Sequence, residues 1–281
     1  MPAAPNAAMP VRKFHFISGL PRSGSTLLAA ILNQNPRFRA GMTSPLADIM
    51  GVMIAEASSK NDFSFAVSEE QRVSLLRGLV ENFYAGPAGS DVVFDTSRLW
   101  CSRMRLLETL FPQAKVIACV RQLSWVLDSM ERLVRNSPVG VSKVFRFDTN
   151  TTVYSRAEAL TDPRGMVGFA FQAVKDAFYG QYAPGQLLLL TYESLVADPA
   201  TTLHAVYRFI DEPWFEHDFE NIEFNANEFD ERVGMPGLHS VRRKLQAIER
   251  TPILPLEIFN RFAREAFWLD PKNNLGRVPV L

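Results

Sequence analysis

Residues 19–26 have the spacing of a phosphate-binding loop. The run Gly-Leu-Pro-Arg-Ser-Gly-Ser-Thr carries Ser25 after its second glycine, where a nucleotide triphosphatase has the lysine that reaches the β- and γ-phosphates. Arg22 is the nearest cation, and its paired N–H donors can fork onto phosphate or sulfate oxygens. The missing lysine counts against ATP hydrolysis and leaves an arginine as the cation that the loop offers to a phosphate or sulfate group.

The loop is expected to join a buried strand to a helix. Residues 14–18 are mostly apolar, and residues 26–32 have the types and length of a helix's first turns. N–H groups at a helix N-terminus lack intrahelical partners and favour anions. Three hydroxyls and a glycine that permits close backbone approach complete the predicted phosphate site: Ser23, Ser25, Thr26 and Gly24.

A second cation follows another apolar strand. Residues 115–120 end at Arg121, and Ser129 follows in a helical stretch, so the two side chains are expected to lie close together. Both segments resemble motifs of sulfotransferases that use 3′-phosphoadenosine 5′-phosphosulfate (PAPS), nearest the tyrosylprotein branch and its bacterial relatives. The resemblance implies that the loop binds the 5′-phosphosulfate, that Arg121 and Ser129 bind the 3′-phosphate, and that no metal takes part.

Two later segments extend the resemblance. Residues 187–195 resemble the family's strand and Tyr-Glu pair, which implies that Tyr192 lies near the adenosine; the alternative is an aromatic ring that closes the core. Residues 237–244 carry three cations and a histidine, and their position resembles the basic segment that closes over the nucleotide. Nucleotide contact is expected from His239 or Arg242, although basic runs are more usually solvated.

Asp95 is the first choice for the base that takes the acceptor's proton. It ends a predicted strand, where open α/β sheets bind ligands, and a carboxylate is ionised at neutral pH. Two alternatives stay open, a helix N-cap and a carboxylate that orients a loop arginine. The catalytic glutamate of tyrosylprotein sulfotransferases has no counterpart in residues 41–46, which leaves Asp48 as a weaker candidate.

Two other functions compete with sulfuryl transfer. In a P-loop kinase or nucleotide triphosphatase, Asp95 would be a Walker B carboxylate and Thr26 would hold magnesium. In a catalytically degenerate protein the fold and the nucleotide would be kept without turnover. The missing loop lysine argues against the kinase or nucleotide triphosphatase, and the missing glutamate keeps the catalytically degenerate protein open as an alternative.

Composition indicates one enzyme-sized domain. The chain has 281 residues, 47% of them hydrophobic, and its 30 basic and 30 acidic residues balance, which gives no electrostatic case for nucleic acid. No apolar run reaches the length of a membrane span. We expect a disordered tail at residues 1–12, a single domain at residues 13–281, and a cytoplasmic location.

The predicted fold is α/β, a P-loop-type three-layer sandwich with a parallel sheet flanked by helices. Strands are predicted near 13–18, 91–95, 115–120 and 186–191. Residues 137–166 and 212–237 lack periodicity and are predicted to be mobile loops that gate the acceptor. The acceptor, whether small molecule, glycan, lipid or peptide, is not identified by the sequence. Three aromatic residues of the first loop are expected to anchor it, with an acceptor pocket as the alternative: Phe145, Phe147 and Tyr154.

Overall fold

The computed structural model describes residues 12–58, 62, 64–85, 91–136, 142–145, 151–180 and 182–281. The described residues contain five strands in one parallel sheet, which are β1 (Lys13–Gly19), β2 (Phe38–Ala40), β3 (Val92–Thr96), β4 (Val116–Val120) and β5 (Leu187–Thr191). Their order is β2-β3-β1-β4-β5, so β1 lies at the centre. The loop that follows β1 therefore starts from the middle of the sheet.

Helices connect and cover the strands. In chain order they are α1 (Ser25–Leu32), α2 (Leu46–Glu56), α3 (Glu69–Phe83), α4 (Met104–Leu110), α5 (Leu123–Asn136), α6 (Val153–Thr161), α7 (Met166–Tyr179), α8 (Tyr192–Ala197), α9 (Pro199–Ile210), α10 (Asn227–Arg232) and α11 (Leu256–Phe262). A 3₁₀ turn at Trp100–Arg103 leads into α4.

The sheet separates two apolar cores. One face packs β1 and β4 residues such as Phe16 and Val116 against helices that include α2, α4, α5 and α7. The other face packs Ile17 and Ile117 against α1, α8 and α9. Strands buried on both faces read as nearly continuous apolar runs, which is why the sequence indicated a parallel sheet. The predicted α/β class, a parallel sheet flanked by helices, is confirmed.

The four predicted strands are present, and β2 was missed because three residues give too short a pattern. The two predicted loops each contain a helix, so their description as loops was wrong in part. Helix α6 begins at a capping box formed by Thr152 and Ser155, and α10 spans Asn227–Arg232. Residues 1–11 of the predicted tail, and Phe147, lie outside the described residues.

Along the described stretches of the chain, no helix is both long and apolar enough to cross a membrane.

Candidate active site

A cavity of about 2060 Å³ opens at the carboxyl ends of the central strands. Its walls come from the loop after β1, the turn after β3, the residue after β4, and two later stretches within 229–250 and 144–169. Because the strands are parallel, these segments leave the sheet at one edge, which is where open α/β sheets bind ligands. Most of the predicted site residues therefore meet in one place.

The loop after β1 depends on three left-handed backbone positions. Gly19 has a φ of 114°, and a Cβ there would lie 2.0 Å from the carbonyl oxygen of Cys119. Gly24 has a φ of 98°. Arg22 adopts a φ of 58° without being glycine, which is uncommon and costs conformational energy. Such strain persists where the surrounding contacts enforce it, and it is typical of ligand-binding loops.

The N-terminus of α1 faces the cavity. Helix α1 begins at Ser25, no side chain caps it, and its first turn holds no acidic residue. Ser25 and Thr26 line the cavity with partly exposed side chains. The free N–H groups and these two hydroxyls thus present hydrogen-bond donors to the cavity, an arrangement that suits an anion.

Ser23 differs from the prediction. Its side chain is buried, and the hydroxyl lies 2.5 Å from the carbonyl oxygen of Leu20 and 2.8 Å from that of Cys119. Its side chain is therefore occupied in tying the loop to β4. The prediction that this hydroxyl holds phosphate is corrected, because it is directed at backbone acceptors rather than at the cavity.

Arg22 connects three parts of the wall. Its Nε donates to Ser129 Oγ of α5 at 3.0 Å, and its Nη1 donates to the carbonyl oxygen of Leu238. Burial, reinforced by the positive charge of Arg121, lowers the pKa of Arg22. The guanidinium is thus a desolvated cation between the loop, α5 and the late basic segment.

Arg121 and Ser129 both line the cavity, and Ser129 is hydrogen bonded to Arg22. The guanidinium of Arg121 lies over the ring of Tyr192, 4.2 Å from its centroid. Its Nε is buried without a hydrogen bond and makes a loose ion pair at 3.5 Å with half-exposed Glu193. Burial lowers the pKa of Arg121. Arg121 can therefore donate hydrogen bonds to a ligand.

His239 forms a pair with Asp230. Its Nδ1 lies 2.6 Å from Asp230 Oδ1, and its backbone N–H donates to Oδ2 at 2.9 Å. Since Asp230 accepts from Nδ1–H, the other ring nitrogen, Nε2, carries the lone pair. Burial lowers the pKa of His239, Asp230 opposes that shift, and the charges of Arg22 and Arg98 lower it further. The ring is therefore neutral at pH 7 and lines the cavity.

Further charged residues line the cavity. Arg242 is exposed and lines the cavity, as expected of a nucleotide contact. Arg98 and Arg250, which sequence reasoning missed, also line it. Arg98 follows β3 directly, so its position after a strand was a usable signal, whereas no motif surrounds Arg250. Burial lowers the pKa of Arg98, and the charge of Asp48, which lies in the first turn of α2 and lines the same cavity, opposes that shift.

The assignment of Asp95 as the base is corrected by its surroundings. The residue is 0% exposed, Tyr84 donates to its Oδ2 at 2.6 Å, and Trp100 Nε1 donates to its Oδ1 at 2.7 Å. Asp95 is not among the residues that line the cavity. Burial raises the pKa of this carboxyl, and its hydrogen bonds oppose the shift. Its contacts hold β3 to the end of α3 and to the turn before α4.

Away from the loop, apolar side chains line the cavity together with polar and charged ones such as Glu158 and Arg164. Phe145 lines it and also packs in the core, so the anchor and the pocket interpretations both apply to it. Tyr154 is half-exposed, donates to Glu257 at 2.6 Å and does not line the cavity. Other apolar residues of this wall are Leu99, Met166, Phe169, Phe229 and Phe262.

The family model described as "Sulfotransferase family" matches residues 15–216, which include the loop, Arg121, Ser129 and Tyr192. The chain belongs to the sulfotransferase family. Among curated proteins, none matches this sulfotransferase. The nearness to the tyrosylprotein branch stays a prediction.

Solved structures resemble this sulfotransferase in fold. The sulfotransferase domain from the curacin biosynthetic pathway is 17% identical, with a TM-score of 0.56 over 91% of this chain and 97% of that one. A sulfotransferase from Alicyclobacillus acidocaldarius is 17% identical, with a TM-score of 0.49 over 81% and 90%. Mouse sulfotransferase SULT7A1, solved with PAP, is 17% identical, with a TM-score of 0.48 over 94% and 81%.

No three His, Cys, Asp or Glu side chains within the described ranges come together in a way that could hold a metal ion.

The position of Asp95 yields a test of its role. We expect Asp95→Asn to lower the free energy of unfolding by about 1–3 kcal/mol, because charge-assisted hydrogen bonds to Tyr84 and Trp100 are weakened. The rate of sulfuryl transfer should stay within about threefold of the wild type, since the side chain does not reach the cavity. Urea unfolding and a transfer assay measure the two quantities. A stable variant with no activity would restore Asp95 as the base.

Proposed function

We propose that this sulfotransferase moves a sulfuryl group from PAPS to a hydroxyl or amine of an acceptor. The observation that carries the proposal is the anion site at the start of α1, flanked by the guanidinium groups of Arg22 and Arg121 in one cavity. Like charges this close favour a ligand with several negative charges. PAPS is such a ligand, with a phosphosulfate at one end and a phosphate on its ribose.

In this proposal the phosphosulfate lies against the N–H groups of the loop and the hydroxyls of Ser25 and Thr26. The 3′-phosphate binds Arg121, whose buried Nε has no hydrogen-bond partner, and Ser129. Tyr192 lies beneath the Arg121 guanidinium and contributes the aromatic face near the adenosine. Arg242 closes the site from the late basic segment.

We assign the base to His239 rather than to a carboxylate. The acceptor's proton moves to Nε2, while Asp230 holds Nδ1–H and stabilises the imidazolium that forms. As the acceptor oxygen bonds to sulfur, the bond between sulfur and the bridging oxygen breaks, and its electron pair stays on the 5′-phosphate of the departing nucleotide. Arg22 and Arg98, which both act electrostatically on His239, stabilise the charge on the transferring group.

The acceptor binds in the apolar part of the cavity. Phe229 packs edge-on against the ring of His239, with centroids 5.4 Å apart, so an apolar surface lies beside the base. The cavity of about 2060 Å³ exceeds the usual 300–1,000 Å³ of small-molecule pockets, which leaves room for donor and acceptor together. A hydroxyl on a body with some apolar surface fits the side of the cavity that Phe229 forms beside His239.

The kinase alternative loses its supporting residue. A Walker B carboxylate must reach the metal beside the phosphates, and both oxygens of Asp95 are bonded to Tyr84 and Trp100 in the core. A transfer assay distinguishes an enzyme from a protein that binds the nucleotide without turnover.

The cytoplasmic location stays a prediction.

Nucleotide binding tests the donor assignment. We expect 3′-phosphoadenosine 5′-phosphate (PAP) to stabilise the protein without metal, by about 2.7 kcal/mol at 100 times its dissociation constant. The 5′-AMP control, which lacks the 3′-phosphate, should stabilise it much less. Differential scanning fluorimetry measures both. A magnesium-dependent response to ATP, with none to PAP, would contradict the proposal.

Substitution of the histidine tests the base assignment. We expect His239→Gln to slow PAP release from PAPS by about 10²–10⁴-fold while PAP affinity stays within a few-fold. The pH profile of the wild type should fall on the acid side, below about pH 6.5, because protonation of Nε2 removes the base and the pKa lies below the ordinary value. His204→Gln, at an exposed site outside the cavity, is the matched control.

The assay uses water or a screened alcohol as acceptor. Full activity in His239→Gln would move the base to another group, with Asp48→Asn as the next variant to measure. Loss of PAP affinity together with activity would make His239 a binding residue, as the sequence first indicated.

A further inference from the structure

One side of helix α6 presents polar side chains to the cavity. Three residues spaced by three and four positions line it, and this spacing places them on one face: Ser155, Glu158 and Asp162. The opposite face carries Ala157 and Leu160, which are buried in the core. Because the Ser155 hydroxyl is bonded within the capping box of α6, the two carboxylates are the groups of this face that a ligand can use.

Glu158 is joined to helix α11. Arg261 Nη1 donates to Glu158 Oε1, and the Arg261 guanidinium lies over the ring of Phe262, 4.9 Å from its centroid. One turn earlier on both helices, Tyr154 donates to Glu257 Oε1 at 2.6 Å. Two polar contacts thus cross from α6 to α11 one turn apart, and they hold Glu158 and Arg261 in the wall of the cavity.

Each carboxylate is anchored through one oxygen only. Asp162 Oδ1 accepts the backbone N–H of Arg164 at 2.8 Å, which orients the group. Asp162 Oδ2 and Glu158 Oε2 accept no hydrogen bond from the residues that the structure describes, and both side chains are exposed. The second oxygen of each carboxylate is therefore open to a ligand in the cavity.

This part of the cavity also offers donors and apolar faces. Arg164 and Arg261 line it, so the two carboxylates are balanced by two guanidinium groups. The rings of Phe169 and Phe262 line the same cavity. Hydrogen-bond acceptors, donors and aromatic surface thus occur together without an excess of either charge.

The combination favours one class of acceptor. A wholly apolar molecule would take water from these charged groups without replacing its hydrogen bonds, which is unfavourable. An ionic acceptor of either sign would meet a like charge in this wall. A neutral ring with several hydroxyls can donate to the carboxylates, accept from the guanidinium groups and lay its C–H surface on an aromatic ring.

We propose that the acceptor is a neutral, polyhydroxylated ring compound of the sugar type. Glu158 and Asp162 select it by accepting hydrogen bonds from hydroxyls other than the one that receives the sulfuryl group. The inference rests on the proposed function, because it names the class of acceptor for that site. The two carboxylates lie on α6, away from the loop and the start of α1, so donor binding does not depend on them.

Binding to the PAP complex tests the acceptor class. The probes are the 4-nitrophenyl β-glycosides of glucose, galactose and N-acetylglucosamine. The matched control, trans-4-(4-nitrophenoxy)cyclohexanol, keeps the aromatic group and a six-membered ring but has a single hydroxyl. In isothermal titration calorimetry with PAP-saturated protein, we expect at least one glycoside to bind about 10-fold or more tightly than the cyclohexanol. Equal or weaker binding of all three glycosides would overturn the inference.

Substitution of the carboxylates tests their part in selection. We expect Glu158→Gln and Asp162→Asn each to weaken the preferred glycoside about 3- to 30-fold, because an amide oxygen accepts a weaker hydrogen bond than a carboxylate. Affinity for the cyclohexanol and for PAP should each change by less than about twofold. Asp162→Asn retains an oxygen for the Arg164 N–H, so the turn is kept.

Glu265→Gln, at an exposed carboxylate outside the cavity, is the matched control and should leave glycoside binding unchanged. Unchanged glycoside binding in both cavity variants, or an equal loss for glycoside and cyclohexanol, would reject selection by these carboxylates.

Nucleotide titrations separate this inference from the proposed function. A wild type that binds PAP no more tightly than 5′-AMP would reject the donor assignment and the inference with it. A wild type that prefers PAP, yet binds the cyclohexanol at least as tightly as every glycoside, would reject the acceptor class alone. Binding of a tyrosine-containing tripeptide amide, with no binding of any glycoside, would likewise replace a sugar-type acceptor by a peptide.

Discussion

The site depends on the contacts of one desolvated cation, Arg22. Its backbone is left-handed, its Nε donates to Ser129 of α5, and its Nη1 donates to the carbonyl oxygen of Leu238. The phosphate loop, the proposed 3′-phosphate site and the segment that carries His239 are thereby joined through a single guanidinium. In the proposed function this shared residue holds the donor and the base in register, and an anion that draws Arg22 away would act on all three segments.

Three buried carboxylates of this protein hold other groups in place. Asp230 orients His239, Asp128 accepts the backbone N–H groups of Ile253 and Leu254, and Asp95 joins β3 to Tyr84 and Trp100. Each is buried and its oxygens are satisfied by donors, which is the arrangement that makes a buried charge tolerable.

The sequence predicted the elements whose signals are local. The apolar strands and the loop spacing could be read directly, and they predicted the sheet and the start of α1. Asp95 was misjudged because its position at the end of a strand does not indicate whether its side chain points to the core or to the cavity. Its partners Tyr84 and Trp100 come from separate elements, so the sequence gives no local sign of their hydrogen bonds. The pair of His239 and Asp230 forms through a turn at residues 233–238, so no local motif predicts it.

The most direct test of the central claim is a crystal structure of the protein with PAP bound. The account predicts the 5′-phosphate against the N–H groups at the start of α1 beside Arg22, with the 3′-phosphate between Arg121 and Ser129 and with His239 Nε2 facing the open space beyond. Phosphates bound outside this cavity, or a 3′-phosphate that contacts neither Arg121 nor Ser129, would contradict it.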